Sequence, residues 1–111
     1  MPQIFWFEAP RKGAFARGTL RGQEMTVAAG SVLAKTVAPS LTRFYRDLRE
    51  RLIRRGVIAL VGDQLVFTCD YPFSSPSTAA NVIEGNMRNG YERWKDIDGK
   101  SMNAHGYRRS L

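Results

Sequence analysis

The chain has 111 residues, one histidine, one cysteine and a formal net charge of +7. This length supports one domain, 1–111, with a modest core, and 43% apolar with 24% charged residues is an ordinary globular balance. The longest wholly apolar run, Val57 to Val61, is far too short to span a bilayer. The start lacks a basic, then long apolar, signal segment, and the lone Cys69 leaves no internal disulfide, so a cytoplasmic protein is expected.

Gln3–Glu8, rich in Phe5, Trp6 and Phe7, predicts a strand ended by Pro10 and Gly13. Ala14–Leu20 and Gln23–Ala29 flank Arg21-Gly22 and predict a hairpin, giving a three-stranded N-terminal sheet. The stretch from Gly30 to Ala38 reads as irregular chain with room for a short strand. From Ser40 to Arg55 the residues Leu41, Phe44, Tyr45, Leu48 and Leu52 recur at helical spacing, with Ser40 as N-cap and Gly56 as stop. Val57–Val61 and Gln64–Thr68 flank Gly62-Asp63, a two-residue loop with glycine first, as a type II′ hairpin wants.

The next helix is punctuated at both ends. Ser75 is placed to accept from a first-turn N–H, Pro76 occupies the first helical position, and Gly85 follows Glu84 where a left-handed cap is wanted. Ala79, Ala80, Val82 and Ile83 supply its buried face. Tyr91–Ile97 and Lys100–Ala104 flank Asp98-Gly99 and predict a last hairpin, which places Tyr91, Arg93 and Lys95 on one face and Trp94 on the packed face. Residues 105–111 read as a flexible basic tail. The expected fold class is α+β, in the order β-β-β-α-β-β-α-β-β, with hairpins packed on two helices.

Chemistry is sparse. One histidine and one cysteine cannot build a metal cage, and His105, the only base for a nucleophile triad, falls in the tail. Asp70 beside Cys69 would raise rather than lower the thiol pKa. The acids Asp47, Glu50, Asp63, Asp70 and Glu84 lie on different elements without paired spacing, and no phosphate-cradling glycine loop appears. No catalytic residue, metal or cofactor is therefore expected.

The charge is uneven: residues 1–38, 39–56, 57–87 and 88–111 carry net +3, +4, −3 and +3. Six arginines lie between Arg43 and Arg55, but most have acidic partners four residues away and form either an ion-pair ladder or a phosphate-facing surface. Arg49 and Arg55 lack such partners and are the better candidates for an external phosphate. Ser74, Ser75 and Ser77 at the start of the second helix either cap it or hold a phosphate or a base edge. With no Lys or Arg in 57–87, ligand charge falls to Arg88, Arg93, Lys95 and Lys100. Asn89 has the amide geometry for an adenine edge, and Tyr91 offers a stacking ring.

The run from Leu65 through Phe73-Ser-Ser-Pro-Ser77, Gly85, Asn89-Gly-Tyr91 and Trp94-Lys95 to Asp98-Gly-Lys100, with the preceding helix, resembles the domain of unknown function 4357 family over residues 40–102. Cys69 stands where an acidic residue is usual in that family and Tyr91 where Trp is usual. The family is best known as a C-terminal appendage on GIY-YIG-type nucleases and restriction-modification proteins. The run is also similar to a domain of adenine-methylase restriction systems for which reading of modified DNA has been proposed.

The resemblance implies a non-enzymatic accessory module that binds DNA, double-stranded in the first instance, in a restriction or phage-defence setting. A nuclease, methylase or defence-complex protein is the implied protein partner. The alternative is a protein-interaction module or inhibitor acting on such a complex, with Phe5, Trp6 and Phe7 as an interface strand or homodimer edge.

Overall fold

The structure, a computed structural model, describes residues 3–107. Its chain order is β1 (Gln3–Ala9), β2 (Ala14–Arg21), β3 (Glu24–Val27), β4 (Val32–Leu33), α1 (Arg43–Arg54), β5 (Ile58–Val61), β6 (Gln64–Phe67), β7 (Tyr71–Phe73), α2 (Pro76–Glu84) and α3 (Gly90–Arg93). All seven strands join one antiparallel sheet, and the fold is α+β. No helix among the described residues is long and apolar enough to cross a membrane.

β2 organises the sheet. One edge pairs with β1 over seven residue pairs, from Gln3↔Leu20 to Ala9↔Ala14. The other edge is shared, with β3 against Gly18–Arg21 and β4 against Phe15. Because β3 leads on to β7 while β4 leads on to β6 and β5, the sheet forks at β2 and curls. α2 lies inside the curl, in contact with β2, β3, β4, β7, α1 and α3. Its Ala79, Ala80, Val82 and Ile83 are fully buried, as the sequence predicts, and Asn81 and Glu84 are buried with them.

The N-terminal hairpin forms, with Gly22-Gln23 rather than Arg21-Gly22 at its tip, and β5–β6 form across Gly62-Asp63. Phe5 and Phe7 are wholly buried, and both backbone groups of Trp6 on the outer edge of β1 bond to Lys95, at 2.7 and 2.9 Å. The triplet Phe5-Trp6-Phe7 is thus mainly core, and its edge is occupied at its centre.

α1 starts three residues later than its expected cap. Thr42 precedes it, and Ser40 Oγ instead lies 3.1 Å from Asn86 Oδ1. Its buried side carries Leu52 and Arg49, while Phe44 is 66% exposed. Of the expected ion-pair ladder, only Arg43–Asp47 lies within ion-pair distance among the described residues, at 3.7 Å. Arg46 is diverted to the carbonyls of Ala38, Pro39 and Leu41.

The largest departure is the last hairpin. Residues Gly90–Arg93 form one helical turn, capped by Asn89 Oδ1 accepting from Tyr91 N–H at 3.0 Å. Lys95 only bridges Trp6 and Ser101, so Tyr91, Arg93 and Lys95 do not share a strand face. Trp94 is fully buried, as expected, and donates Nε1–H to Pro76 O at 3.1 Å. Within the tail, His105 lies 2.6 Å from Asp96 Oδ2, and Phe5 meets the rings of His105 and Tyr107 edge to face, while Gly106 and Tyr107 remain exposed. The remainder of the tail, 108–111, lies outside the described residues.

Candidate nucleic-acid interface

The first turn of α2 is built by its own sequence. Ser75 adopts extended backbone and its Oγ accepts from Thr78 N–H at 3.1 Å, while Pro76 fills the position that needs no donor. Gly85 caps the far end at φ 69°; a Cβ there would also stand 2.7 Å from Thr36 O. Ser77 faces α3 and accepts from Gly90 N–H at 2.9 Å. Close contact of the two helices depends on Gly90, whose added Cβ would lie 2.3 Å from Pro76 C and O.

This junction leaves an open recess of about 890 Å³. Ser74, Ser75, Ser77, Arg88, Asn89 and Tyr91 all line it, together with Tyr45 from α1, Met87, and Asn81 from α2. Hydrogen bonding sets its polarity. Asn81 Oδ1 accepts from Arg88 N–H at 2.7 Å, and Asn89 Oδ1 accepts from Tyr91 N–H. Each bond orients its amide so that the NH₂ remains as donor. Ser77 Oγ likewise receives the Gly90 N–H and keeps its own hydroxyl proton to give. The wall is donor-rich at the positive end of a nine-residue helix, which suits an acceptor such as a phosphate or a purine edge. Asn81 was not singled out in the sequence; its place one turn from Ser77 on the same helix was the available signal.

The cations are arranged differently from the expectation. Glu84 is 1% exposed and gathers three of them: Arg88 Nε at 2.6 Å, Arg93 Nη2 at 2.8 Å and Lys12 Nζ at 3.4 Å. A carboxylate in the last turn of a helix faces the negative end of the dipole, so it needs these counterions. Arg93 also lies over the Phe7 ring, 5.4 Å from its centroid.

Arg49 is only 3% exposed and donates to Val82 O at 2.6 Å and to Ala34 O. Burial pulls its guanidinium below the ordinary range. Arg49 is therefore a bracket between α1, β4 and the end of α2, not a free phosphate contact. Arg49→Met is expected to cost about 2–4 kcal/mol, since two buried carbonyls lose their donor, and urea denaturation of the variant measures it. Arg49→Lys should recover only part of that loss, because an ammonium cannot reproduce the fork.

Arg55 is exposed at the end of α1, and Lys100 is exposed but outside the recess. Arg93 and Lys95 line a second recess of about 590 Å³ with Trp6 and Asp96. The anticipated single surface thus divides into a polar recess at the tip of α2 and a hollow of mixed charge along β1, where Glu8 and Asp96 stand with Arg93 and Lys95. In the hollow, Lys100 N–H, then His105, hold the Asp96 carboxyl below its usual range. Its contribution to stability is present above the unfolded carboxylate pKa and fades as pH falls through the lowered value.

Fold and site define a small α+β domain whose central helix is wrapped by a forked sheet and presents a donor-lined recess at its capped tip. The chain belongs to the family described as Domain of unknown function (DUF4357), whose model matches residues 5–105, a span extending well before the stretch from 40 to 102 that carried the resemblance. No curated protein and no solved structure matches it.

Proposed function

We propose that the protein is a non-catalytic cytoplasmic module that binds DNA, reading its shape or a modified base, in a restriction or phage-defence setting. The observation that carries this reading is the gathering of Ser74, Ser75, Ser77, Arg88, Asn89 and Tyr91 around one donor-rich recess. In this reading the amide of Asn89 and the Ser77 hydroxyl meet acceptors on a base or phosphate, and the rings of Tyr45 and Tyr91 contribute flat apolar wall. Affinity comes mainly from phosphate contacts at exposed Arg51, Arg54, Arg55 and Lys100.

A gel-shift series on methylated and unmethylated duplexes tests it. Binding is expected at about 50 mM salt and should fall by roughly ten- to a thousandfold towards 200 mM as counterion release loses its advantage. Asn89→Ala should weaken binding and narrow any preference between the two duplexes. No binding to duplex or single strands at about 50 mM salt would end the proposal.

A second reading, a protein-interaction module or inhibitor of a nuclease, methylase or defence complex, is favoured by β5. It is a terminal strand of the sheet, and Leu60 and Val61 are 64% and 59% exposed on it. Salt-insensitive capture of one such protein, lost on Leu60→Lys and kept on Asn89→Ala, would favour that reading.

A further inference from the structure

β1 and β2 alternate strictly between the core and the opposite face. Phe5, Phe7, Ala14 and Ala16 point inward, which sends Ile4, Trp6, Phe15 and Arg17 outward. A bare antiparallel face is normally polar. Here Ile4 and Phe15 are 44% and 48% exposed and Trp6 is half-buried among them.

The register interleaves these rings with cations. Arg17 stands directly opposite Trp6, and Phe15 lies on the diagonal from Trp6, about 7–8 Å away by sheet geometry. Arg21 continues the outward row of β2, and exposed Lys95 is bonded through its backbone to the edge of β1 at Trp6. The opposing charges on this face are Glu8, opposite Phe15, and Glu24, opposite Arg21. Beside Trp6 opens the hollow lined by Lys95 and Arg93 together with Glu8 and Asp96.

We propose that this outer face of β1–β2 binds single-stranded nucleic acid, with unpaired bases stacked on Trp6 and Phe15 and phosphates met by Arg17, Arg21 and Lys95. Rings alternating with cations are the pattern of a sequence-tolerant stacking platform. Duplex DNA offers no open base face to such a surface. The inference rests on the reading of the chain as a nucleic-acid binder, but it uses residues separate from the α2 recess.

The test is fluorescence anisotropy with labelled oligo(dT) and oligo(U) of 12 nucleotides and a 20-base-pair duplex, on the full chain, Trp6→Phe, Phe15→Ala, Arg17→Ala and Asn89→Ala. Phe15 is exposed, so its variant should fold even where changes at Trp6 perturb β1. Phe15→Ala is expected to weaken single-strand binding roughly tenfold, and Arg17→Ala to lower the salt slope by about 0.7. Asn89→Ala should weaken duplex binding while single-strand binding stays dependent on Phe15, and Trp6 fluorescence should be quenched by the oligonucleotide in the wild type but absent from Trp6→Phe.

Preference between oligo(dT) and oligo(U) assigns the strand to DNA or RNA, and equal binding to both also supports the platform. Duplex binding without single-strand binding overturns this inference and leaves the DNA-recess reading standing. Single-strand binding indifferent to Phe15→Ala and Arg17→Ala overturns it too. A dimer that dissociates on Phe15→Ala would show the face to be a contact between copies and would equally overturn it.

Discussion

Gly90→Ala is expected to destabilise the protein by at least about 3 kcal/mol and to deform the recess at the same time. The new methyl carbon would stand 2.3 Å from Pro76 C and O and 2.5 Å from Ser77 N. All three are backbone atoms of the first turn of α2, and none can swing aside as a side chain would. Relief requires α3 to withdraw. That withdrawal breaks the Gly90 N–H bond to Ser77 Oγ and pulls Trp94 Nε1 from Pro76 O. Trp94 is fully buried against Phe7, with ring centroids 5.4 Å apart, so the shift propagates into the core. Urea denaturation gives the loss, and ¹⁵N-resolved spectra should show the largest changes at Ser77, Asn89 and Trp94. Wild-type stability in the variant would mean that the two helices do not meet as described.

The second large effect is expected at Glu84. Its carboxylate is sealed in the interior at the unfavourable end of α2, and Lys12, Arg88 and Arg93 converge on it from three separate segments. Removing a buried ion-pair partner costs about 3–5 kcal/mol. The three cations each keep about a third of their side chain exposed, so water recovers part of that loss. Glu84→Ala should therefore fall near the lower end, about 3 kcal/mol.

The triple variant Glu84→Leu, Arg88→Met, Arg93→Met should recover much of the stability, because it deletes the carboxylate with its two arginines and leaves only Lys12, which is part-exposed and reaches water. Denaturant midpoints of the two variants make the comparison. If Glu84→Ala unfolds at the wild-type midpoint, the carboxylate is not the organising charge.

This cluster also changes the meaning of the +7 charge. Arg49, Arg88 and Arg93, read from the sequence as ligand cations, are drawn to the C-terminal half of α2. Arg49 serves the carbonyls of Val82 and Ala34, and Arg88 and Arg93 serve Glu84. The cations left for a polyanion are those that remain exposed, such as Arg51, Arg54, Arg55, Lys95 and Lys100.

Elements with local punctuation were legible. Ser75-Pro76 and Gly85 mark α2 because capping chemistry is local, and the Gly62-Asp63 loop sets β5 against β6 for the same reason. The strand reading of Tyr91-Glu-Arg-Trp94 failed because four residues are too few to reveal a helical period. Asn89 is the helix cap there and Gly90 the first helical residue. β7 was missed because Pro72 argues against a strand; as a terminal strand, β7 accommodates a residue without an N–H donor.

The burial of Arg49 had a readable signal. It falls four residues after Tyr45 and three before Leu52, on the apolar stripe itself. Glu84 had a partial one, with Ala80 four residues before it and Arg88 four after, while Lys12 and Arg93 approach from other segments. The recess was legible as a set of residue types at the α2 tip, while its separation from Arg93 and Lys95 followed from the missed helical turn.

The most direct test is an NMR titration of the ¹⁵N-labelled protein with a short DNA duplex at low salt. Backbone and side-chain amide shifts should concentrate at Ser77, Asn81, Asn89 and Tyr91, and should fade as salt rises. Shifts absent from these four residues while the duplex is bound would place the DNA elsewhere and contradict the account.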